Sequence, residues 1–480
     1  MLPKHLLRTS TICLAVVLLV GMALPVPPAR LAEPGTFTVC ATDCDFTTIQ
    51  AALDDDRVIA GDTIQVMDAV HTEAGITVRQ DVTIQGQGAA KTIVQAHATA
   101  KDAPNRVFLV EEGATIVIKD MTIRHGHQRE YPRSGGGIAN HGTLTLESCI
   151  VTDNVTNDGG GIWNYAGTMT LINCTVSGNQ ADRIAEPVYA CGSGAGIKNG
   201  RWGTLALVNC TISDNQALGK GGGLFAACES TTTLTNCTIS GNQAATFGGG
   251  LYVAKAVLRL THCTISHNRA TVRGGGVYVR GTLDMTNTII ANSIRGKDCA
   301  TSGHRSIKGT IRVNTNNLIE DGSKPAAYTG DPMLGDLANN GPSTSFAQHP
   351  ERSEWTGHAP QTHALLPGSP AIDVIPAGEC SVTTDQRGLP RPVACTSPDT
   401  PGDLGAFEVQ ADECVPPTPS PTATSTPRPL TATPVPATPT PTPRVVPALP
   451  NNLLPVWSLL GVLILALAGL VILWLRRRRS

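Results

Sequence analysis

The side chains best able to do chemistry in this sequence recur at a nearly constant spacing. Five cysteines follow one another at steps of 25, 36, 27 and 26 residues, and an asparagine stands five positions after each. They are Cys149, Cys174, Cys210, Cys237 and Cys263, with Asn154, Asn179, Asn215, Asn242 and Asn268. We predict that the thiols pack inside the fold and that the asparagines form a ladder of turn amides bonded along the stack. No Cys/His spacing resembles a zinc site.

Carboxylates for acid–base catalysis would have to lie on neighbouring repeats of one outer face, with Lys or Arg beside them. Four residues after each cysteine, and after Thr288 in the sixth repeat, the sequence reads Asp153, Gly178, Asp214, Gly241, His267 and Asn292. Four residues before, it reads Thr145, Thr170, Ala206, Thr233, Arg259 and Asp284. Neither position has acids on adjacent repeats. The sequence therefore predicts no catalytic residue, metal or cofactor.

One outer position could bind a ligand. The residue after the inward aliphatic side chain of each repeat reads Ala139, Trp163, Lys198, Phe225, Tyr252 and Tyr278. Stacked rings on an exposed sheet offer faces to sugar rings or to a protein partner. The candidate binding residues are therefore Trp163, Phe225, Tyr252 and Tyr278. The alternative is that the insertion at 181–190 folds over these rings and makes them a satellite core.

These side chains require a fold that repeats about every 25 residues. Apolar residues alternate, as in Leu144-x-Leu146 and Cys149-x-Val151, which is the period of a strand. Three short strands with Gly-rich corners fit one turn of a parallel β-helix. The sequence thus predicts an all-β fold with a parallel β-helix over residues 36–320, about ten rungs long, and a short helix within 46–53 covering its open end.

The two ends of the chain predict export and membrane anchoring. Residues 1–30 combine basic residues with an apolar run, as a signal peptide does. Residues 453–475 carry no charge and are long enough to cross a hydrocarbon core of ~30 Å. The basic tail 476–480 follows and favours the cytoplasmic side. We predict a single-pass cell-membrane protein with an extracellular N-terminal part.

The composition of the chain indicates two extended parts, a Pro/Thr-rich stalk and a glycine-rich repeat region. Residues 414–450 contain 13 prolines and 9 threonines, so we expect a disordered, extended stalk. The whole chain has 49 glycines, 4% aromatic residues, 15% charged residues and a net charge of -2. This balance argues against nucleic acid as a partner and fits a repeat protein.

Two stretches carry a resemblance to known families. The block 46–88 and the Asn-Cys-Thr-Ile-Ser-x-Asn repeats with triple glycine resemble right-handed parallel β-helix proteins of the pectin-lyase-like superfamily. Downstream, the segments 363–373, 385–388 and 405–408 resemble the choice-of-anchor Q domain, which ends many bacterial surface β-helix proteins. The resemblance implies that residues 321–413 form an irregular region that caps the solenoid.

The resemblance also implies a place of action. We expect an adhesin-like or structural role at the cell surface, with an extracellular polysaccharide, a surface protein or a neighbouring cell as partner. The wider superfamily includes polysaccharide lyases and glycoside hydrolases, so such an enzyme is the alternative function. The choice-of-anchor family supplies no catalytic residue to carry over, and the acid columns argue against an enzyme.

An exported protein can keep disulfides. The predicted pairs are Cys40 with Cys44 and Cys380 with Cys395. The remaining cysteines outside the repeat and the signal peptide, which are Cys191, Cys228, Cys299 and Cys414, are left unassigned.

Overall fold

The computed structural model describes residues 33–128, 130, 134–182, 193–303, 308–341 and 359–414. The predicted signal peptide, membrane span and basic tail lie outside these residues, as does the stalk beyond residue 414. Within the described ranges, no helix has the length and apolar character needed to span a bilayer.

The described chain winds into a parallel β-helix whose strands stack in four columns. Columns 1 and 2 belong to one eighteen-stranded sheet, because the long strands Leu251–Thr261 and Val277–Thr286 run through both. Column 3 is a ten-stranded sheet and column 4 a five-stranded one. The ten strands of column 3 confirm the predicted number of rungs.

The strand bounds follow the columns. Besides the two long strands, column 1 contains Ile76–Val78, Phe108–Val110, Ile138–Asn140, Ile162–Tyr165, Ile197–Gly200, Leu224–Ala227 and Cys299–Thr301. Column 2 contains Thr36–Val39, Thr63–Val66, Val82–Gln85, Thr115–Lys119, Thr143–Glu147, Thr168–Ile172, Thr204–Val208, Thr231–Thr235 and Thr310–Thr315. Column 3 contains Val70–Thr72, Ile93–Gln95, Thr122–Arg124, Ile150–Thr152, Thr175–Ser177, Thr211–Ser213, Thr238–Ser240, Thr264–Ser266, Ile289–Ala291 and Leu318–Ile319. Column 4 contains Val155–Thr156, Gln180–Ala181, Gln216–Ala217, Gln243–Ala244 and Arg269–Ala270.

Few elements lie outside the columns. The described residues add an α-helix at Ile49–Leu53, a 3-10 turn at Ala100–Asp102 and an antiparallel pair, Leu334–Ala338 with Thr362–Leu365. The α-helix confirms the predicted N-terminal helix, and it buries Ile49 and Ala52 in the main core. All-β architecture is thus confirmed for this part of the chain.

The repeated thiols lie inside, as predicted. All five column cysteines are unpaired and buried in the continuous apolar core. Burial raises the pKa of the Cys149, Cys174, Cys210 and Cys237 thiols well above the usual value. These side chains therefore stay protonated at neutral pH and act as small core residues, because the reactive form of cysteine is the thiolate.

The predicted asparagine ladder is also confirmed. Asn179 donates from its backbone N and from Nδ2 to Oδ1 of Asn215, both at 3.0 Å. The pattern is the same from Asn154 to Asn268, and every member is fully buried. The ladder satisfies the buried polar groups of one corner of the solenoid.

Each rung begins with a glycine-rich corner, because the backbones of neighbouring corners are in close contact there. A Cβ atom on Gly249 would lie 2.4 Å from the carbonyl oxygen of Arg269 and 2.5 Å from that of Gly275. Real Cβ atoms do not approach backbone so closely, so glycine allows this close approach of backbones.

The C-terminal region covers the end of the solenoid only in part, since Ala326 packs against the main core and Tyr328 pairs with Leu318 of the last strand, whereas residues 359–410 lie along the side. It covers column 3, where Thr211 Oγ1 donates to the carbonyl of Gln361 at 2.7 Å and Thr238 Oγ1 donates to Gln386 Oε1 at 2.6 Å. Farther along, the backbone N of Ala406 donates to Thr264 Oγ1 at 3.0 Å. Outward threonines of these rungs are therefore buried hydrogen-bonding partners.

Buried ions hold this irregular region together. Arg391 Nε donates to Glu408 Oε2 at 2.7 Å, and neither side chain is exposed. Arg387 Nε donates to Asp385 Oδ2 at 2.8 Å, while its guanidinium carbon lies 3.7 Å from the ring centre of Phe407. Ion pairs and hydrogen bonds between side chains thus stabilise this region, as hydrogen bonds between strands stabilise the solenoid.

One predicted disulfide is confirmed and the other is wrong. Cys40 bonds to Cys44 as predicted, with the Cα atoms 5.6 Å apart. Cys395 bonds instead to Cys414, whose Cα lies 5.1 Å away, and Cys380 is a half-buried free thiol. The Cys380 sulfur faces Gly402, where a Cβ would lie only 2.3 Å from it. Cys228 is disulfide-bonded as well.

Candidate functional site

The predicted row of rings lies in register on the outer face of column 1. Trp163 pairs with Lys198, Lys198 with Phe225, Phe225 with Tyr252 and Tyr252 with Tyr278. The ring centres of Phe225 and Tyr252 are 5.0 Å apart, and those of Tyr252 and Tyr278 are 5.5 Å apart. The rings therefore stack along the solenoid axis, outside the main core.

These rings are buried, which corrects the expectation of an exposed binding face. Phe225 and Tyr252 are each 1% exposed, and Trp163 and Tyr278 are each 7% exposed. Phe225, Tyr252 and Tyr278 form a separate apolar cluster with Ala227, which agrees with the alternative of a satellite core. Residues 183–190 of the insertion that was expected to cover them lie outside the described residues.

Charges in the same row are buried too. The Lys198 ammonium lies 3.3 Å from Asp158 Oδ2, and both side chains are 8% exposed. The Lys220 ammonium lies 5.9 Å from the ring centre of Tyr252, and burial lowers the pKa of Lys220. The row is thus a packed structural layer, with no ring face free for a ligand.

An exposed ring stands at the turn between columns 1 and 2. Trp202 is 62% exposed, and its indole Nε1 donates to Glu229 Oε2 at 3.0 Å. The guanidinium carbon of Arg201 lies 5.4 Å from the Trp202 ring centre and 5.8 Å from that of Tyr165. Arg201 also donates from Nη1 to the Tyr165 hydroxyl. We call Tyr165, Arg201, Trp202 and Glu229 the turn platform.

The turn platform lies on a corner with left-handed backbone, a geometry that recurs at other corners of the described solenoid, for example at Asn173 and Asn236. Arg201, Trp202 and Glu229 have φ angles of 44°, 65° and 67°. Such left-handed positions cost an L-residue about 1–2 kcal/mol each. The rungs hold them, since the Trp202 N donates to the Cys228 carbonyl at 3.0 Å and the Glu229 N donates to the Lys255 carbonyl at 2.7 Å. These backbone hydrogen bonds fix the direction in which the turn platform projects.

Other rings support the turn platform from below. The Tyr165 ring centre lies 4.8 Å from that of buried Trp163 and 5.6 Å from that of His141. Burial, together with the charge of Arg106, lowers the pKa of His141, so the imidazole is neutral near pH 7. The exposed side chains of the turn platform therefore lie above uncharged aromatic rings.

The chemistry of the turn platform is that of binding. A flat exposed indole can pack on the C–H face of a sugar ring, while Arg201 and Glu229 can donate to and accept from its hydroxyls. Trp202 was not predicted from the sequence, because it lies in a turn and outside the alternating positions of the strands. The available signal was a tryptophan between Gly200 and Gly203 in a chain with few aromatic residues.

Acidic side chains line a cavity of about 610 Å³ at the last rungs. Asp298 and Asp321 lie there on neighbouring rungs, with Lys297 and His267 also in the lining. This arrangement was missed because these acids lie in loops between the strands. They do not occupy the positions four residues before or after the repeated cysteines, where paired acids were expected in an enzyme.

The pKa values of the two acids of this cavity are shifted in opposite directions. Burial raises the pKa of Asp298. Burial acts in the same direction on Asp321, but hydrogen bonds from Ser323 outweigh it and lower the pKa of Asp321. Asp298 Oδ2 accepts from the backbone N of Asp321 at 3.0 Å, and Asp321 Oδ2 accepts from that of Asp298 at 3.2 Å. The pair therefore joins two rungs. No group of side chains in the described ranges could hold a metal ion.

Solved structures resemble the chain weakly. A pectate lyase, Pel9A, is 12% identical with a TM-score of 0.47 and covers 78% of this chain and 96% of its own. A pectin methylesterase from carrot is 14% identical with a TM-score of 0.32, covering 58% and 87%. XylC in complex with xylose is 11% identical with a TM-score of 0.36, covering 78% and 98%. At these values the likenesses carry no argument about activity.

Sequence comparison identifies the repeat itself. No curated protein matches the chain. A family model described as "Right handed beta helix region" matches residues 105–308, which are the rungs with the cysteine and asparagine ladders. The described part of the chain is therefore an all-β structure built on a right-handed β-helix.

Proposed function

We propose that this chain is a membrane-tethered β-helix of the cell surface that binds glycans through the turn platform, in an adhesin-like role. The observation that carries the proposal is the exposed Trp202 ring, held by Glu229 and flanked by Arg201. Partners would be an extracellular polysaccharide or the glycans of a neighbouring cell. The role is binding and does not require catalysis.

Preorganisation supports a binding role. Each exposed side chain of the turn platform already has a partner, since Arg201 bonds to Tyr165 and Trp202 bonds to Glu229. A ligand that meets fixed side chains loses less of its binding free energy to ordering them. A rigid solenoid beneath the turn keeps this arrangement constant.

The sequence of the two termini supports placement at the surface. A signal peptide at 1–30 and a span at 453–475 would export and anchor the chain, with the choice-of-anchor Q type region 321–413 between solenoid and stalk. A Pro/Thr stalk over 414–450 could extend up to about 110 Å. Such a stalk would lift the β-helix away from its own membrane and toward a partner surface.

Replacing Trp202 with alanine is expected to weaken glycan binding about tenfold, because the substitution removes the exposed ring face. The measurement is equilibrium binding of purified full-length protein, first on a glycan array and then by titration of the best ligand. Trp202→Phe keeps a ring and should retain part of the affinity. The control is Met67→Ala, which truncates another exposed apolar side chain, 43% exposed, in the N-terminal rungs. Equal affinity of wild type and Trp202→Ala would contradict the proposal.

A polysaccharide lyase or hydrolase is the second candidate function. The observation that favours it is the pair Asp298 and Asp321, whose pKa values are moved in opposite directions in one cavity, as acid–base partners require. Incubation of the full-length protein with acidic polysaccharides is expected to release no shorter products. Product release that disappears in Asp298→Asn would establish an enzyme and overturn the binding-only role.

A further inference from the structure

A histidine occupies a buried position at the N-terminal end of the solenoid. His71 is the central residue of Val70–Thr72, the first strand of column 3, and it is 5% exposed. In the rungs that follow, the same position is aliphatic and belongs to the main core, beginning with Val94 and Ile123. An imidazole therefore ends a column of apolar core side chains.

Two carboxylates flank the His71 ring. Its Nδ1 lies 3.2 Å from Asp68 Oδ2, and its Nε2 lies 2.9 Å from Glu73 Oε2. A neutral imidazole has one N–H group and can donate to only one of these oxygens, whereas the imidazolium ion donates to both. The geometry therefore fits the charged form of the ring. We call Asp68, His71 and Glu73 the His71 cluster.

The His71 cluster holds the segments that cover this end of the solenoid. Glu73 Oε2 accepts from the backbone N of Ile49 at 2.7 Å, and its Oε1 accepts from that of Gln50 at 2.9 Å, at the start of the α-helix. Asp68 Oδ1 accepts from the backbone N of Ala41 at 3.3 Å, in the loop before the helix. One imidazole thus joins the first rung to both covering segments.

The helix in turn covers the edge of a strand. Ile76–Val78 begins column 1, and its paired neighbour among the described strands is Phe108–Val110 on one side. On the other side, Thr77 N donates to Gln50 Oε1 at 2.7 Å, and Gln50 Nε2 donates to the Thr77 carbonyl at 3.4 Å. Unpaired strand edges are templates for pairing with another strand. The side chain of Gln50 therefore closes this edge.

The charges that face His71 come from its own cluster. The strand Ile93–Gln95, which pairs with the histidine's strand, and the helix Ile49–Leu53 contain no charged residue. In the loop before the helix, Asp43 is exposed and Asp45 bonds to the first strand of column 2. The two carboxylates of the cluster therefore decide the protonation of the ring.

Folding favours the protonated form of His71. Burial lowers the pKa of His71, but the hydrogen bonds and charges of Glu73 and Asp68 outweigh it, so the pKa is raised above its usual value. A group whose pKa is raised on folding stabilises the fold below its ordinary pKa, about 6.5 for histidine. This stabilisation is lost as pH rises through the raised value.

We propose that the His71 cluster is a pH-sensitive device that keeps the covering helix in place at mildly acidic pH and loosens it at alkaline pH. When His71 loses its proton, one ring nitrogen faces a carboxylate oxygen with no hydrogen between them, and that contact becomes unfavourable. Glu73 and Asp68 then hold the helix and the loop less firmly. Loosening would uncover the edge of Ile76–Val78 and make it available to a second strand.

Hydrogen exchange of the full-length protein tests this device, with protection expressed relative to the unfolded chain at each pH. Amides of residues 49–53 and 76–78 are expected to lose about tenfold in protection between about pH 6 and about pH 9. Those of the asparagine ladder should keep their protection. His71→Gln should protect both segments equally at the two pH values. The control His97→Gln, at a half-buried histidine outside the cluster, should respond as wild type does.

A second variant tests the hydrogen-bond mechanism itself. Asp68→Asn should retain protection at the higher pH, because its amide can donate to the unprotonated ring nitrogen while neutral His71 donates to Glu73. Equal protection of wild type at both pH values would overturn the proposal. A pH response that persists in His71→Gln would also overturn it, because another group would then be responsible. None of these results depends on glycan binding at the turn platform.

Discussion

Replacing Asn215 with alanine is expected to lower the free energy of unfolding by about 3–5 kcal/mol, because buried polar groups on both sides lose their partners. Asn215 Oδ1 accepts from the backbone and side chain of Asn179, and its Nδ2 donates to the Val176 carbonyl at 3.0 Å. Alanine leaves these groups unsatisfied in the middle of the stack. The destabilisation should therefore exceed that of most single substitutions.

Chemical denaturation of the full-length protein, followed by circular dichroism, measures this effect. The matched control is Gln216→Ala, the next residue, whose side chain is exposed and whose loss should change stability by less than about 0.5 kcal/mol. Similar values for the two variants would mean that the asparagine ladder does not stabilise the solenoid.

Replacing Arg391 with alanine is expected to release the C-terminal region from the solenoid, at a cost of about 3–5 kcal/mol. Arg391 bonds to Glu408 and to the carbonyls of Gly405 and Phe407. Burial and the charge of Glu408 raise the pKa of neighbouring Asp403 to about 8. Removal of Arg391 leaves Glu408 buried without its cation, with the backbone N–H groups of Val393 and Asp403 as its remaining donors.

Hydrogen exchange can localise this second effect. Amides of residues 371–409 should lose protection in Arg391→Ala, whereas those of the asparagine ladder should keep it. Arg57→Ala is the control, since its ion pair with Asp55 is exposed and such pairs contribute ~0–1 kcal/mol. Loss of protection in every rung at once would show that the region and the solenoid unfold as one unit.

The solenoid could be predicted from the sequence because stacking places equivalent residues of successive rungs beside one another. Each column of cysteine, asparagine or aliphatic residues in the sequence is a column in the fold. A second buried ladder could have been found in the same way. Asn140 donates to Asn164 at 2.8 Å and Asn164 donates to Asn199 at 2.9 Å.

Features without this period could not be read from the sequence. The position of residues 359–410 along column 3 depends on contacts between segments far apart in the chain, and the Cys395–Cys414 bond belongs to no repeat. Trp202 lies in a turn and belongs to no column. Alternation indicates which side of a strand a residue faces, but it does not show what covers that side.

Glycan binding by this β-helix is proposed to depend on the exposed Trp202 ring. The most direct measurement is a calorimetric titration of full-length wild type and Trp202→Ala with the best array glycan, followed by analysis of the glycan for cleavage. We expect wild type to bind an intact glycan and the variant to bind it about tenfold more weakly. Equal affinities, or a cleaved glycan, would contradict the proposal.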